Sequence, residues 1–174
     1  MPLKLVTRKE WGATKPFYQD PQTLPVPWIV IKYYTRSPFC HCVEDCCNIV
    51  NTLQKNHMKL LGYMDIKYNF LVGGDGCVYE GRGWYNTPTK QDMRLLDFYT
   101  ESYDIALIGD YQDINPPEEM MQAVKCLADY GVNAGFLKPD YKVFENRKDT
   151  VMPYDPEHER YYGKEGLFEN TPYN

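Results

Sequence analysis

Residues 65–84 have the sequence DIKYNFLVGGDGCVYEGRGW, which has the pattern of a β-hairpin. The run from Tyr68 to Val72 combines aromatic and β-branched residues, and Val78 and Tyr79 resume that pattern after Gly-Gly-Asp-Gly. An Asp-Gly pair between two such runs is a strong hairpin signal, because the turn needs positive φ angles that glycine adopts at low cost. The stretch therefore predicts two antiparallel strands joined by a tight turn.

Strands and helices are predicted to alternate on both sides of this hairpin. The predicted elements are a strand at 28–31, a helix at 42–61, a strand at 104–111, a helix from 116 to 131 and a strand at 141–145. The first strand, Trp-Ile-Val-Ile, is apolar on both faces, which is typical of a parallel sheet. The pattern predicts an α/β fold, with a central mixed β-sheet flanked by helices in a single domain spanning 1–174.

The two helices have different sequence signals. The first has acidic residues in its first turn and apolar side chains at spacings of three and four, from Val43 to Leu61. His57 lies on this helix and is predicted to be a structural, hydrogen-bonded histidine. The second helix is predicted to start with Asn115 as cap, Pro116 at its first position and Glu118 three residues after the cap.

Composition excludes some functions. The net charge of −5 argues against a protein that binds nucleic-acid phosphates, and no run of about 18 apolar residues is available to span a membrane. Residues 14–27 hold four prolines, so 1–27 are predicted to be an extended N-terminal segment. Residues 153–174 are rich in Tyr, Pro, Gly and Glu and are predicted to be a poorly ordered tail.

Six cysteines occur, and four of them lie in the short run from Cys40 to Cys47. A zinc site there is disfavoured, because no second distant pair of ligands completes a tetrahedron. Cys126 lies on the apolar stripe of the second helix and is predicted to be a buried free thiol. The N-terminus lacks the apolar core of a signal peptide, which leaves an intracellular protein or a domain of a longer secreted or membrane-anchored parent.

The hairpin motifs YNFLVGGDG and VYEGRGW resemble the peptidoglycan recognition proteins, relatives of the zinc N-acetylmuramoyl-L-alanine amidases. Arg8, Trp11-Gly12-Ala13 and Asp104–Tyr111 also match segments of that family. The resemblance implies a disulfide between Cys40 and Cys46, and hence an extracellular location in an oxidising compartment. Whether Cys42 and Cys47 form a second pair stays open.

The resemblance also indicates where a catalytic zinc ion would be bound. The three ligand positions fall on Tyr33, Asn146 and Tyr154, and Tyr68 matches a tyrosine that assists catalysis in active members. A phenol with a pKa near 10 stays protonated at neutral pH and is a poor zinc ligand. The expectation is a degenerate amidase with no cofactor and no enzymatic activity.

A ligand groove over the former metal site is implied by the same resemblance. Its predicted lining residues are Tyr33, Tyr34, Tyr68, Tyr85, Asn86, Asn146 and Arg147. Asp104 replaces a family glycine, and an acid there is expected to repel an acidic stem peptide. Thr100 and Glu101 stand where members that select diaminopimelate often have Arg, so that preference has no support.

Two interpretations of function follow from this resemblance. In the first, the chain is a non-catalytic receptor of innate immunity that binds peptidoglycan or muropeptide, and the aromatic groove lining favours it. In the second, it is a pseudo-receptor that has lost the ligand and acts as a co-receptor, regulator or decoy. Its partners would then be other peptidoglycan recognition proteins or immune signalling proteins. The differences from the family at the predicted groove, such as Asp104 in place of glycine, favour this alternative.

Overall fold

The computed structural model describes residues 2–34, 37–88, 101–111, 113–149 and 167–169. Within these ranges the chain forms one seven-stranded sheet and two helices. The elements are β1 Leu5–Val6, β2 Val26–Tyr34, α1 Val43–Lys59, β3 Phe70–Val72, β4 Val78–Glu80, β5 Ser102–Ile108, α2 Glu118–Asn133, β6 Leu137–Asp149 and β7 Leu167–Glu169. The predicted α/β class with a mixed sheet and flanking helices is confirmed.

The strands follow the order β1-β4-β3-β5-β2-β6-β7 across the sheet. The central pairs β3–β5, β5–β2 and β2–β6 are parallel, as is β1–β4 at one edge. The β3–β4 hairpin and the β6–β7 pair are antiparallel. Strand β2 therefore lies in the interior of the sheet with a parallel neighbour on each side, as its continuous apolar sequence predicts.

The predicted hairpin is present, and its glycines are required by the geometry. Phe70 pairs with Glu80 and Val72 with Val78. Gly76 has a φ of 75°, which favours glycine in the turn. A side chain at Gly74 would place its Cβ only 2.3 Å from the carbonyl oxygen of Cys40, so the turn can approach the disulfide loop only without one.

Each helix covers one face of the sheet. The α1 side buries an apolar cluster that includes Val50, Leu53, Tyr68, Leu71 and Ala106. The α2 side buries a second cluster, whose members include Ile29, Ile31, Tyr33, Phe70, Ile105, Val124 and Leu127. Because successive side chains of a strand point to opposite faces, neighbouring residues of β3 and β5 contribute to different clusters.

Both helix boundaries differ from the sequence prediction. Helix α1 buries Val50 and Leu53, but Val43 and Leu61 at its predicted ends are exposed. Helix α2 begins at Glu118 with Pro117 as its N-cap, two residues later than predicted. The reason is the Pro-Pro pair, since a proline disfavours helical geometry at the residue before it and Pro116 is therefore a poor first helical position.

The C-terminal part of the chain adds one edge strand. Leu167–Glu169 pair with β6, although they fall within the segment predicted to be poorly ordered. The remainder of 153–174 lies outside the described residues. In the described part of the chain, neither helix has the length and apolar character needed to cross a membrane.

Candidate functional site

A buried ion pair lies at the centre of the α1 face of the sheet. The Nζ of Lys32, on β2, is 2.7 Å from Oδ2 of Asp104, on the neighbouring strand β5. Both side chains have zero exposure. Asp104 was expected to meet the ligand and repel an acidic peptide, and this is wrong, because its carboxylate is buried against a lysine.

Tyr68 lies beside this ion pair. Its ring centroid is 6.0 Å from Nζ of Lys32 and 5.5 Å from Nζ of Lys67, and its side chain is fully buried. The ring of His57, on α1, packs edge-on against Tyr68 at 5.9 Å. His57 Nδ1 accepts a 2.9 Å hydrogen bond from the backbone N–H of Lys67, so its predicted structural role is confirmed.

Asn69 and Arg82 hold the loops around the pair in place. The side-chain amide of Asn69 donates to the carbonyls of Gly83 and Asn86, and its oxygen accepts the backbone N–H of Asp104 at 2.9 Å. The Nε of Arg82 donates to the carbonyl of Ile66 at 2.6 Å. Burial lowers the pKa of the Arg82 guanidinium, and the carboxylates of Asp65 and Asp104 partly offset that effect.

Tyr33 lies on the opposite face of the sheet from Tyr68. Its side chain is 1% exposed within the α2-side cluster, and its hydroxyl donates a hydrogen bond to Oε1 of Glu145. The structure therefore does not bring Tyr33 and Tyr68 together. The backbones of Tyr34, Asn146 and Arg147 belong to β2 and β6, but their side chains are not among the described groups. Tyr154 lies outside the described residues.

Tyr85 and Asn86 lie near the other end of the sheet. The Tyr85 ring is 66% exposed and packs edge-on against Phe136, which directly precedes β6. Asn86 donates from its side chain to the carbonyl of Arg82. On β6, Leu137 pairs with Val26 of β2 and Asn146 pairs with Lys32. These two pairs are six residue steps apart along β2, which is about 20 Å. Among the described side chains, Tyr33, Tyr68 and Tyr85 thus do not form one compact cluster.

The cysteines form one disulfide among the described residues. Cys40 and Cys46 are bonded, with Cα atoms 5.2 Å apart, as the resemblance implies. The bond joins the loop after β2 to the first turn of α1. Cys42 and Cys47 are not bonded to each other, and Cys42 is exposed. Cys126 is half-buried rather than buried as predicted.

Lys32, Lys67 and Arg82 are part of this site and were not identified from the sequence. A signal for Lys32 was available, because a lysine directly after the apolar run Trp28–Ile31 in a central strand needs a buried counter-charge. Asp104, at the start of the other core strand, is the matching acid. Strands β2 and β5 become neighbours only in the folded sheet, so the pairing of Lys32 with Asp104 could not be predicted from the sequence.

The side chains at this centre do not fit a catalytic zinc ion. Ammonium groups have donors only, and a phenol binds zinc weakly at neutral pH. A catalytic site needs three His, Cys, Asp or Glu ligands and an open position for water. No group of three or more such side chains within the described ranges is placed to hold a metal ion.

Comparison with known proteins identifies the family. Residues 22–160 match the family described as N-acetylmuramoyl-L-alanine amidase. The chain is 34% identical over 152 residues to peptidoglycan-recognition protein LB of Drosophila melanogaster, covering 86% of this chain and 64% of that protein.

Two solved complexes have the same fold. One is a point variant of Drosophila PGRP-LB with tracheal cytotoxin, at a TM-score of 0.76, 31% identity and 85% coverage of each chain. The other is the ectodomain complex of PGRP-LCa and PGRP-LCx with tracheal cytotoxin, at a TM-score of 0.77 and 32% identity, covering 86% of this chain and 88% of that one. The chain therefore belongs to the peptidoglycan recognition proteins, within the amidase family.

Proposed function

We propose that this chain is a non-catalytic peptidoglycan recognition domain that binds muropeptide without cleaving it. The observation that carries the proposal is the Lys32–Asp104 pair, which fills the centre of the α1 face with a neutralised ammonium and carboxylate. A zinc amidase uses a metal-bound water as nucleophile, and a lysine ammonium, which has donors only and no lone pair, cannot hold the metal ion. Two similar proteins have been solved with tracheal cytotoxin bound, which supports a muropeptide as the ligand class.

The proposed setting is extracellular innate immunity. The Cys40–Cys46 disulfide supports an oxidising compartment, because such bonds are rare in the cytosol. One solved relative is the ectodomain of the Drosophila transmembrane receptor PGRP-LCa, which supports a receptor-type role.

A second candidate function is a pseudo-receptor that acts through protein–protein contacts. The observation in its favour is burial: Tyr33 is 1% exposed and Tyr68 is not exposed at all. Two of the tyrosines predicted to line the groove thus present almost no surface to a ligand. Exposed Tyr85 remains available for contact with either a muropeptide or a protein.

A binding assay separates these functions. Purified protein is incubated with insoluble peptidoglycan of the lysine and diaminopimelate types, and calorimetry is run with tracheal cytotoxin. The proposal expects saturable binding at micromolar concentration or tighter, roughly −8 kcal/mol. It also expects no release of stem peptide, with or without added zinc. Binding to neither polymer would favour the pseudo-receptor, and zinc-dependent release of peptide would overturn the non-catalytic assignment.

A matched pair of variants tests the predicted contact. Tyr85→Ala removes an exposed aromatic ring at a predicted groove position, and Tyr18→Ala removes a ring of similar exposure, 60%, in the N-terminal segment. The first is expected to weaken muropeptide binding at least tenfold, and the second is expected to leave it unchanged. Equal effects of the two variants would contradict a groove that includes Tyr85.

A further inference from the structure

The register of the sheet identifies which residue of β2 stands beside Asn146. Lys32 is paired with Asn146 on β6 and with Ala106 on β5. Tyr33 is the next residue of the strand, so its side chain points to the other face, where it meets Glu145. Two metal ligands on neighbouring strands must lie on the same face to reach one ion. With Asn146 as the second ligand position, as the resemblance implies, the first ligand position corresponds by this criterion to Lys32 and not to Tyr33.

Lys32 and Asp104 require each other. A fully buried ammonium is destabilising unless a carboxylate or equivalent partner compensates its charge. Asp104 supplies that carboxylate at 2.7 Å, at a position where the resemblance implies a glycine, which has no side chain to offer. The face of the Tyr68 ring lies at 6.0 Å from the same ammonium.

We propose that the Lys32 ammonium occupies the place of the metal cation, with Asp104 as its built-in counter-ion. The centre of the site thereby contains a cation that belongs to the chain, with its charge balanced by Asp104, and strands β2 and β5 are joined there without a metal. This inference rests on the proposed non-catalytic function and adds the device that replaces the metal.

Introducing zinc-binding histidines tests whether Lys32 or Tyr33 occupies the first ligand position. The variant Lys32→His/Asp104→Gly/Asn146→His places two imidazoles at paired positions of adjacent strands, about 5 Å apart. The control Tyr33→His/Asp104→Gly/Asn146→His differs only in the residue of β2 that carries the first histidine. Isothermal titration with zinc chloride is expected to give at least about tenfold tighter binding for the first variant. Equal affinities, or tighter binding by the control, would overturn the assignment.

A double-mutant cycle tests the ion pair and does not depend on the grafted chains folding. Lys32→Met and Asp104→Asn each remove one charge of the buried ion pair, and the double variant removes both charges. Each single change is expected to raise the unfolding equilibrium constant more than about 100-fold, and the double variant is expected to recover most of that loss. Additive effects would overturn the proposal.

The two tests fail separately from the proposed function. Neither measurement uses peptidoglycan, so a failure to bind muropeptide would contradict the proposed ligand without affecting the evidence for the ion pair. Additive effects in the mutant cycle would contradict the proposed ion pair without affecting the evidence for the ligand. Stoichiometric zinc in the unaltered protein, measured by mass spectrometry, would overturn the inference directly.

Discussion

The guanidinium of Arg8 holds the carboxylate of Asp65 through two parallel hydrogen bonds, Nη1 to Oδ2 at 3.0 Å and Nη2 to Oδ1 at 3.1 Å. Asp65 is almost fully buried, and it also accepts bonds from the side chain of Gln54 and the backbone N–H of Ile66. Arg8 further donates to the carbonyl of Gly81 at 2.7 Å. Arg8 thereby joins the N-terminal segment to both ends of the 65–84 stretch.

Replacing Arg8 is therefore expected to destabilise the whole domain. Arg8→Ala leaves the buried Asp65 carboxylate without its cation, at a cost of about 2–4 kcal/mol, since the arginine side chain is still 20% exposed. Arg8→Lys keeps the charge but loses the two-pronged geometry, so its loss should be intermediate. Urea unfolding at pH 7 measures both, and a change below about 0.5 kcal/mol for Arg8→Ala would contradict the structural role.

Gly81 is expected to tolerate no side chain. A Cβ there would lie 2.2 Å from the carbonyl oxygen of Tyr68, which is a backbone atom and cannot rotate away. Gly62 is the matched control, because it has a φ of 71° but nothing within 4 Å of its Cβ position. Gly81→Ala should cost about 3 kcal/mol or more, and Gly62→Ala only the ~1–2 kcal/mol of left-handed strain. Thermal unfolding followed by circular dichroism would rank them, and the reverse order would refute the argument.

Cys77 is expected to resist alkylation. Burial, followed by the nearby Asp75 carboxylate, raises the pKa of the Cys77 thiol to about 11. At pH 8 roughly one molecule in a thousand would then carry the reactive thiolate. Iodoacetamide labelling read by mass spectrometry should modify exposed Cys42 much faster than Cys77, by about 100-fold or more. Labelling in urea, where both thiols are solvated, is the control and should abolish the difference.

The same thiol should make stability depend on alkaline pH. A thiol whose folded pKa is raised contributes stability below its unfolded pKa, near 8.5, and loses it as pH rises toward the folded value of about 11. Stability should therefore fall between pH 9 and pH 11. Cys77→Ala should show a shallower fall over that range in urea titrations. An unchanged slope in this variant would mean that the raised pKa of Cys77 does not contribute.

Local pattern was sufficient for most of the fold. The hairpin, the buried strand β2 and both helices were predictable, because the period of apolar residues and the turn glycines act over a few neighbouring residues. The start of α2 was wrong by two residues, since the cap signal at Asn115 competed with the Pro-Pro pair and the proline geometry prevailed. The Cys40–Cys46 bond followed from the resemblance and is present.

The site was less predictable, because it depends on which face each side chain takes. A shift of one residue along a strand moves a side chain to the opposite side of the sheet. The resemblance implies Tyr33 as the first ligand position, whereas the register pairs Lys32 with Asn146 and Tyr33 lies in the α2-side core.

From the sequence alone, the family and the sheet-and-helix architecture could be identified. Those properties depend on residue types and short-range spacing, which are present in the chain before it folds. That Lys32 and Asp104 form one ion pair could be seen only in the folded chain, because strands β2 and β5 are about 70 residues apart in sequence and become neighbours only when the sheet assembles.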